Sequence, residues 1–181
     1  MKAGRIEVVC GPMFSGKSEE LLRRLKRAEI AKKKYQLFKP ALDDRYSESE
    51  VVSHSGKRLK CHVLKNSHEL MSMLEEDTEI VAFDEAQFFD FLLLETVSSL
   101  ADMGKRVVIA GLDMDSRGEP FGPMPKFMAV AEEVLKLTAV CEACGESATH
   151  TYRLTEDNTD QVLVGAGEHY QARCREHWCS R

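Results

Sequence analysis

Short, mostly apolar runs alternate along this chain with stretches in which apolar residues recur every third or fourth position. Residues 6–10, 35–39, 59–64, 79–83 and 106–110 are runs of the first kind, and each reads as a strand. Between them, residues 18–32 set Leu21, Leu22, Leu25 and Ala28 on one face of a helix and charges on the rest. Residues 67–76 predict a second helix with Ser67 as its N-cap, and residues 90–103 a third, stopped by Gly104. Residues 43–56 are polar and carry Ser47, Ser49, Ser53 and Ser55, which predicts a mobile loop. Residues 111–125, rich in Gly, Pro and Asp, predict another loop, followed by a short helix and the run 134–140. The strands are continuously apolar instead of alternating with polar residues. That pattern belongs to an α/β fold whose parallel sheet is covered by helices on both faces. From about Thr138 onward helical patterns vanish and Cys, Gly and Thr become more frequent, so a second, smaller unit is expected there.

Composition narrows the classes. The 181 residues are 43% hydrophobic and 30% charged, the mix of a globular chain of one domain with at most a small appendage. The formal net charge of -5 argues against general DNA or RNA binding, which rewards a basic surface. The basic cluster Arg23, Arg24, Lys26, Arg27, Lys32, Lys33 and Lys34 reads as a solvated helix face. No run of 18 apolar residues occurs, so no membrane partner is expected. The N-terminus enters the first strand without a cleavage-site pattern, which leads to an expectation of the cytoplasm.

Two patterns carry chemistry. Gly11-Pro12-Met13-Phe14-Ser15-Gly16-Lys17-Ser18 fits G-x-x-x-x-G-K-[ST] between an expected strand and an expected helix. In such a P-loop the backbone N–H groups converge on phosphate oxygens, Lys17 reaches the β and γ phosphates, and the Ser18 hydroxyl can sit on Mg²⁺. The following helix points its positive end at the same anion. The run 79–83 ends in Asp84 and Glu85, where a P-loop fold places the acid that orients Mg²⁺. The fold expected is therefore RecA-like. In the tail, Cys141-x-x-Cys144 and Cys174-x-x-His177 have the knuckle spacing of tetrahedral zinc. No water-activating carboxylate lies near them, so the zinc would be structural. Cys179 is an alternative fourth ligand in place of His177.

With the P-loop, Asp84-Glu85-Ala86-Gln87-Phe88-Phe89 and the zinc pairs in this order, the chain resembles the type II, cytosolic-type thymidine kinase family over nearly its whole length. Further matches are Asp43-Asp44-Arg45-Tyr46, Ser53-His54-Ser55-Gly56, Gly111-Leu112-Asp113, Pro120-Phe121-Gly122 and Leu163-Val164-Gly165 followed by Tyr170. The resemblance implies phosphoryl transfer from ATP to the 5′-hydroxyl of thymidine, giving dTMP for salvage into DNA. Glu85 would be the general base. The eight P-loop residues Gly11 to Ser18, with Asp43, Asp44, Arg45, Asp84, Glu85, Ala86 and Gln87, would form the ATP site, Arg45 meeting the transferring phosphate. Phe88 and Tyr170 would flank the thymine ring, and Met13, Leu112, Phe121 and Thr151 would line its pocket. The backbone of Gln161, Val162, Leu163, Val164 and Gly165, in a lasso loop, would bind the base edge. Residues 1–137 would be the ATP-binding domain and residues 138–181 a zinc-binding lasso domain. Family members are usually homotetramers and are often inhibited by dTTP. One departure is Ser116, where the family usually has Phe.

From the residues alone, Phe88 and Phe89 are as readily core as stacking surface. Two readings outside nucleoside kinases are a nucleic-acid motor, which would show DNA-stimulated ATP hydrolysis, and a zinc-ribbon module that senses ATP without catalysis. A third, closer alternative is a kinase for deoxyuridine, deoxycytidine or another nucleoside.

Overall fold

The computed structural model of the protein describes residues 4–41, 50–52, 58–154 and 169–179. The apolar runs form β1 (Arg5–Cys10), β2 (Tyr35–Pro40), β5 (His62–Leu64), β6 (Ile80–Phe83) and β7 (Arg106–Gly111), joined by β8 (Glu133–Lys136). Together they make a six-stranded sheet in the order β5-β2-β6-β7-β1-β8. Every neighbouring pair is parallel.

Each strand feeds two cores because successive side chains leave opposite faces. In β7, Val107 and Ile109 join one core while Val108 and Ala110 join the other. Register keeps the faces aligned: Ile6 and Val81 both oppose Val107, and all three share a core. Helix α1 (Lys17–Ile30) covers one face with Leu21, Leu22, Leu25 and Ala28, the residues its spacing predicts. The other face is covered by α2 (Leu70–Met73), α3 (Leu93–Asp102) and α4 (Met124–Val130), through Leu70, Leu93, Val97, Leu100, Met124 and Phe127. Each fully buried Leu or Phe contributes about 1.5–3 kcal/mol.

The connection from β1 through α1 to β2 passes over β7 and β6. It leaves the carboxyl ends of β6, β7 and β1 side by side. A crevice opens at such a switch in strand order, and ligands of α/β sheets bind there.

At the amino end of the sheet, Glu7 is fully buried. Its carboxylate accepts from Arg106 Nε and Nη2, both at 2.7 Å, pairs with Arg5 at 2.6 Å, and also meets Arg24. Burial alone would raise the Glu7 carboxyl, but these guanidiniums, Arg106 first, hold it below the usual value. The basic stripe of α1 is therefore only partly solvated: Arg24 lies buried in this network and also pairs with Glu20 and Glu133. Because the folded pKa is depressed, ionised Glu7 adds stability above the ordinary carboxylate range and loses it as pH falls. Glu7→Gln is expected to cost about 3 kcal/mol at neutral pH, since it leaves buried guanidiniums short of their partner. In denaturant titrations the gap to the parent protein should narrow as pH drops through about 4. A gap independent of pH would contradict this.

Several local expectations shift. The helix expected over 67–76 is a 3-10 turn at Ser67–Glu69 followed by the short α2. Asn66 is the cap, its side chain accepting from the His68 N–H at 3.1 Å. The Ser67 hydroxyl donates instead to Asp90 Oδ1 at 2.6 Å. Leu74 turns extended, and the Glu75 N–H donates to the Gln36 side chain at 2.8 Å, which ends the helix early. The run 59–64 splits into β4 (Arg58–Lys60) and β5; β4 pairs antiparallel with β3 (Glu50–Val52), inside the segment expected as loop. The rest of 43–56 lies outside the described residues. Within 111–125, Asp115 ties a turn by accepting from the N–H groups of Arg117 and Glu119 at 2.9 and 3.0 Å.

After β8 come two antiparallel pairs, β9 (Ala139–Val140) with β10 (Ser147–Ala148), and β11 (His150–Arg153) with β12 (Tyr170–Arg173), then the short helix α5 (Arg175–Cys179). That helix stands in the region where no helical pattern is legible. The run 134–140 is divided between β8 and β9. The apolar cluster in this region consists of Ala139, Cys141, Ala148 and Ala172, with Cys174 against it. So small a core cannot hold a segment together without a staple.

Candidate active site

The turn after β1 wraps back on itself at the crevice. Phe14 and Gly16 are left-handed, with φ of 64° and 82°. Gly16 then leads into α1 at Lys17. The Ser15 hydroxyl and the Lys17 ammonium donate to the Pro12 carbonyl at 2.8 and 2.6 Å. Burial pulls the Lys17 ammonium below its ordinary value; the charges of Glu85, Asp84 and Asp113 pull it the other way. Lys17 is thus a partly desolvated cation in the field of the carboxylates of Glu85, Asp84 and Asp113.

At the end of β6, Asp84 is buried and the Ser18 hydroxyl donates to its Oδ2 at 3.2 Å. Burial first, and then the charge of Glu85, push the Asp84 carboxyl well above the usual carboxylate range, against the Glu85 N–H, Lys17 and Ser18. A carboxylate in that situation gains from a hard cation, and a hydroxyl with a carboxylate is an oxygen donor set that suits Mg²⁺.

Glu85 is the one acidic residue with a left-handed backbone among the described residues, at φ 52°. A non-glycine residue there is costly and marks a backbone forced into position. Its Oε2 accepts from Gln87 Nε2 at 2.6 Å, and Gln87 Oε1 accepts from the Leu112 N–H at 2.9 Å.

Beside these groups, Phe88 is half-buried and meets the buried Phe121 edge to face at 5.4 Å between centroids. Phe89 is core, packed edge to face on Phe83 at 5.7 Å. The 3-10 turn at Ala86–Phe88 separates the two aromatics, leaving Phe88 half-buried against Phe121 and Phe89 in the core. Met13 donates its N–H to the Thr151 hydroxyl at 3.1 Å, fastening β11 to the turn after β1. Tyr170 is buried on β12, opposite Arg153. The structure therefore brings Met13 to Thr151, Phe88 to Phe121, and Leu112 to Gln87. The expected contacts at Asp43, Asp44, Arg45, Gln161, Val162, Leu163, Val164 and Gly165 lie outside the described residues.

Cys141, Cys144, Cys174 and His177 present ligand atoms that all lie within 4.8 Å of one another. Cys144 Sγ is 3.8 Å from Cys174 Sγ, and Cys174 Sγ is 3.1 Å from His177 Nδ1. Burial would raise the Cys141 thiol, but the N–H groups of Cys174, Ala143 and Cys144 outweigh it and lower it. N–H groups aimed at a sulfur favour thiolate, the form that binds zinc. Cys179 is exposed and is not in the cluster, so His177 is the fourth member.

Two further residues carry weight that sequence reading missed. Trp178 stacks on His150 at 4.6 Å and donates to the Ser116 carbonyl at 3.3 Å, so α5 fastens the turn that follows β7. Ser116 is held there through its backbone. Asp113, buried at the end of β7, pairs with Lys136 at 2.7 Å. The match at Gly111-Leu112-Asp113 was a signal for Asp113; a single tryptophan offered none for Trp178.

A family model described as thymidine kinase matches residues 4–178. Among solved structures, domain III of the replication initiation protein DnaA from Thermotoga maritima aligns with a TM-score of 0.44 and 16% identity, over 74% of this chain and 55% of that one. The chain thus spans about half the length of that solved structure, and a likeness of that degree carries no argument about activity. No helix among the described residues is long and apolar enough to cross a membrane.

Proposed function

The chain belongs to the thymidine kinase family, and on that premise we propose that it transfers the γ-phosphoryl group of ATP to the 5′-hydroxyl of thymidine, giving dTMP, with Glu85 as general base. The observation that carries this reading is the arrangement at the ends of β1 and β6. The Ser18 hydroxyl meets Asp84 at 3.2 Å, and Glu85 follows on a backbone forced into the left-handed region. Phosphoryl transfer passes through a loose transition state, so positioning and charge neutralisation do most of the work. Lys17 and the backbone N–H groups of Phe14 to Ser18 would hold the phosphates. Ser18 and Asp84 would hold Mg²⁺, which when bound neutralises the phosphate oxygens. Arg45 would meet the transferring group, and Asp43, Asp44, Ala86 and Gln87 would complete the ATP site. Glu85 accepts the hydroxyl proton late in the transfer, as the acceptor oxygen bonds to phosphorus.

Phe88, Leu112, Phe121, Met13, Thr151 and Tyr170 would enclose the base, with the backbone of residues 161–165 on its polar edge. Zinc on Cys141, Cys144, Cys174 and His177 would staple residues 138–181 into a unit of their own. Leu137 packing with the sheet core while Ala139 joins the small cluster supports a boundary there. The family resemblance further supports a cytoplasmic homotetramer in DNA-precursor salvage, with dTTP as feedback inhibitor and no nucleic-acid partner.

The test is a panel of nucleosides with Mg-ATP, scored for the monophosphate. Thymidine should lead in kcat/KM, and deoxyuridine, which lacks only the C5 methyl, should trail by about tenfold, the worth of one methyl in a fitted apolar pocket. A purine nucleoside as best substrate would overturn the base assignment. DNA-stimulated ATP hydrolysis with no nucleoside product would overturn the kinase.

A further inference from the structure

We infer that Gln87 is a positioning residue that aims the Glu85 carboxylate at the acceptor hydroxyl, by tying it to the backbone at the end of β7. The inference rests on the base role proposed for Glu85.

Gln87 is 3% exposed, so its amide must find partners inside the protein. The Leu112 N–H is a donor and can be met only by the amide oxygen, at 2.9 Å. That fixes the flip: the NH₂ group faces Glu85 and donates to Oε2 at 2.6 Å. A charge-assisted bond of this kind is both directional and stronger than a neutral one. It occupies one carboxylate oxygen and leaves Oε1 for the substrate proton.

The surroundings give Gln87 little freedom. A Cβ on Gly111 would lie 2.8 Å from Gln87 Oε1, and a Cβ on Gly122, left-handed at φ 50°, would lie 2.1 Å from the Gln87 carbonyl oxygen. The glycines let β7 close on the Gln87 side chain and the turn before α4 close on its backbone. Leu112, whose N–H anchors the amide, belongs to the expected base pocket. The same bond chain therefore holds the base-binding wall and the proton acceptor at a set separation.

The experiment is a double-mutant cycle on the full-length, zinc-loaded protein, with kcat and KM for thymidine, ATP affinity by calorimetry, and Tm. Gln87→Leu should lower kcat by about 10- to 100-fold, the usual cost of a misplaced catalytic group. Because Gln87 also stands in the proposed ATP site and anchors Leu112, ATP affinity and thymidine KM are read separately, and the fall in kcat should exceed any change in either. Gln87→Met keeps the length and burial of the side chain but offers Glu85 no donor. It should lose comparable activity with a Tm nearer the parent's, which keeps the test open if Gln87→Leu folds poorly. In a Glu85→Gln background, Gln87→Leu should cost no more than about twofold in kcat, because the group it aims is already gone. An equal loss in both backgrounds would mark a purely structural role and overturn the inference. So would a parental kcat in both Gln87 variants while Glu85→Gln is impaired. An unimpaired Glu85→Gln enzyme would instead overturn the base role itself.

Discussion

Replacing Glu85 by glutamine is expected to lower kcat by about 10³-fold while ATP still binds. Glutamine has the same shape and can keep a hydrogen bond with Gln87 after the amide turns, so the fold should tolerate it. What it lacks is a lone pair basic enough to take the hydroxyl proton. The phosphate loop, Lys17 and the Ser18–Asp84 pair are untouched. Single-turnover measurements with thymidine and Mg-ATP, together with ATP affinity by calorimetry, separate the two outcomes. Retained turnover would place the proton acceptor elsewhere. Lost ATP binding would assign Glu85 to the phosphates.

Removing the metal ligands should be nearly as damaging by another route. Cys174→Ser, or zinc removal by a chelator, is expected to cut activity on the order of 100-fold through loss of position. Structural zinc contributes about 10–16 kcal/mol of apparent binding free energy to segments that do not fold without it. The cluster here backs a core of alanines and cysteines. Cys174 and His177 hold α5, Trp178 on α5 stacks on His150, and β11 carries the Thr151 hydroxyl to the Met13 N–H. The damage should therefore travel from the metal to the phosphate loop. Trp178 is the only tryptophan, so its emission should shift to the red as it leaves His150. Full activity and unchanged emission after verified zinc loss would contradict this chain of contacts.

Much of the site was legible before any tertiary contact was known. Phosphate binding needs a fixed run of glycine, lysine and serine, and zinc needs paired ligands at knuckle spacing; both are local patterns. The covered parallel sheet was legible in the same way, because a strand buried on both faces is mostly apolar instead of alternating. The choice between Phe88 and Phe89 was not. Both are adjacent aromatics, and only the 3-10 turn after Glu85 sends Phe89 into the core and leaves Phe88 half-buried on Phe121. Ser67 reads as a cap by residue type, yet the carboxylate of Asp90 claims its hydroxyl from another segment.

By itself, then, the sequence determined the chemical groups and the layered fold, since both follow from residue type and spacing over a few turns of chain. Tertiary structure decided how those groups face one another. The Gln87 amide between Glu85 and Leu112, the Thr151 hydroxyl on the phosphate loop, and His177 in place of Cys179 depend on segments up to 138 positions apart. No local periodicity encodes the distance between such segments; it is set when the three strand ends and the tail that carries the Cys and His cluster pack together.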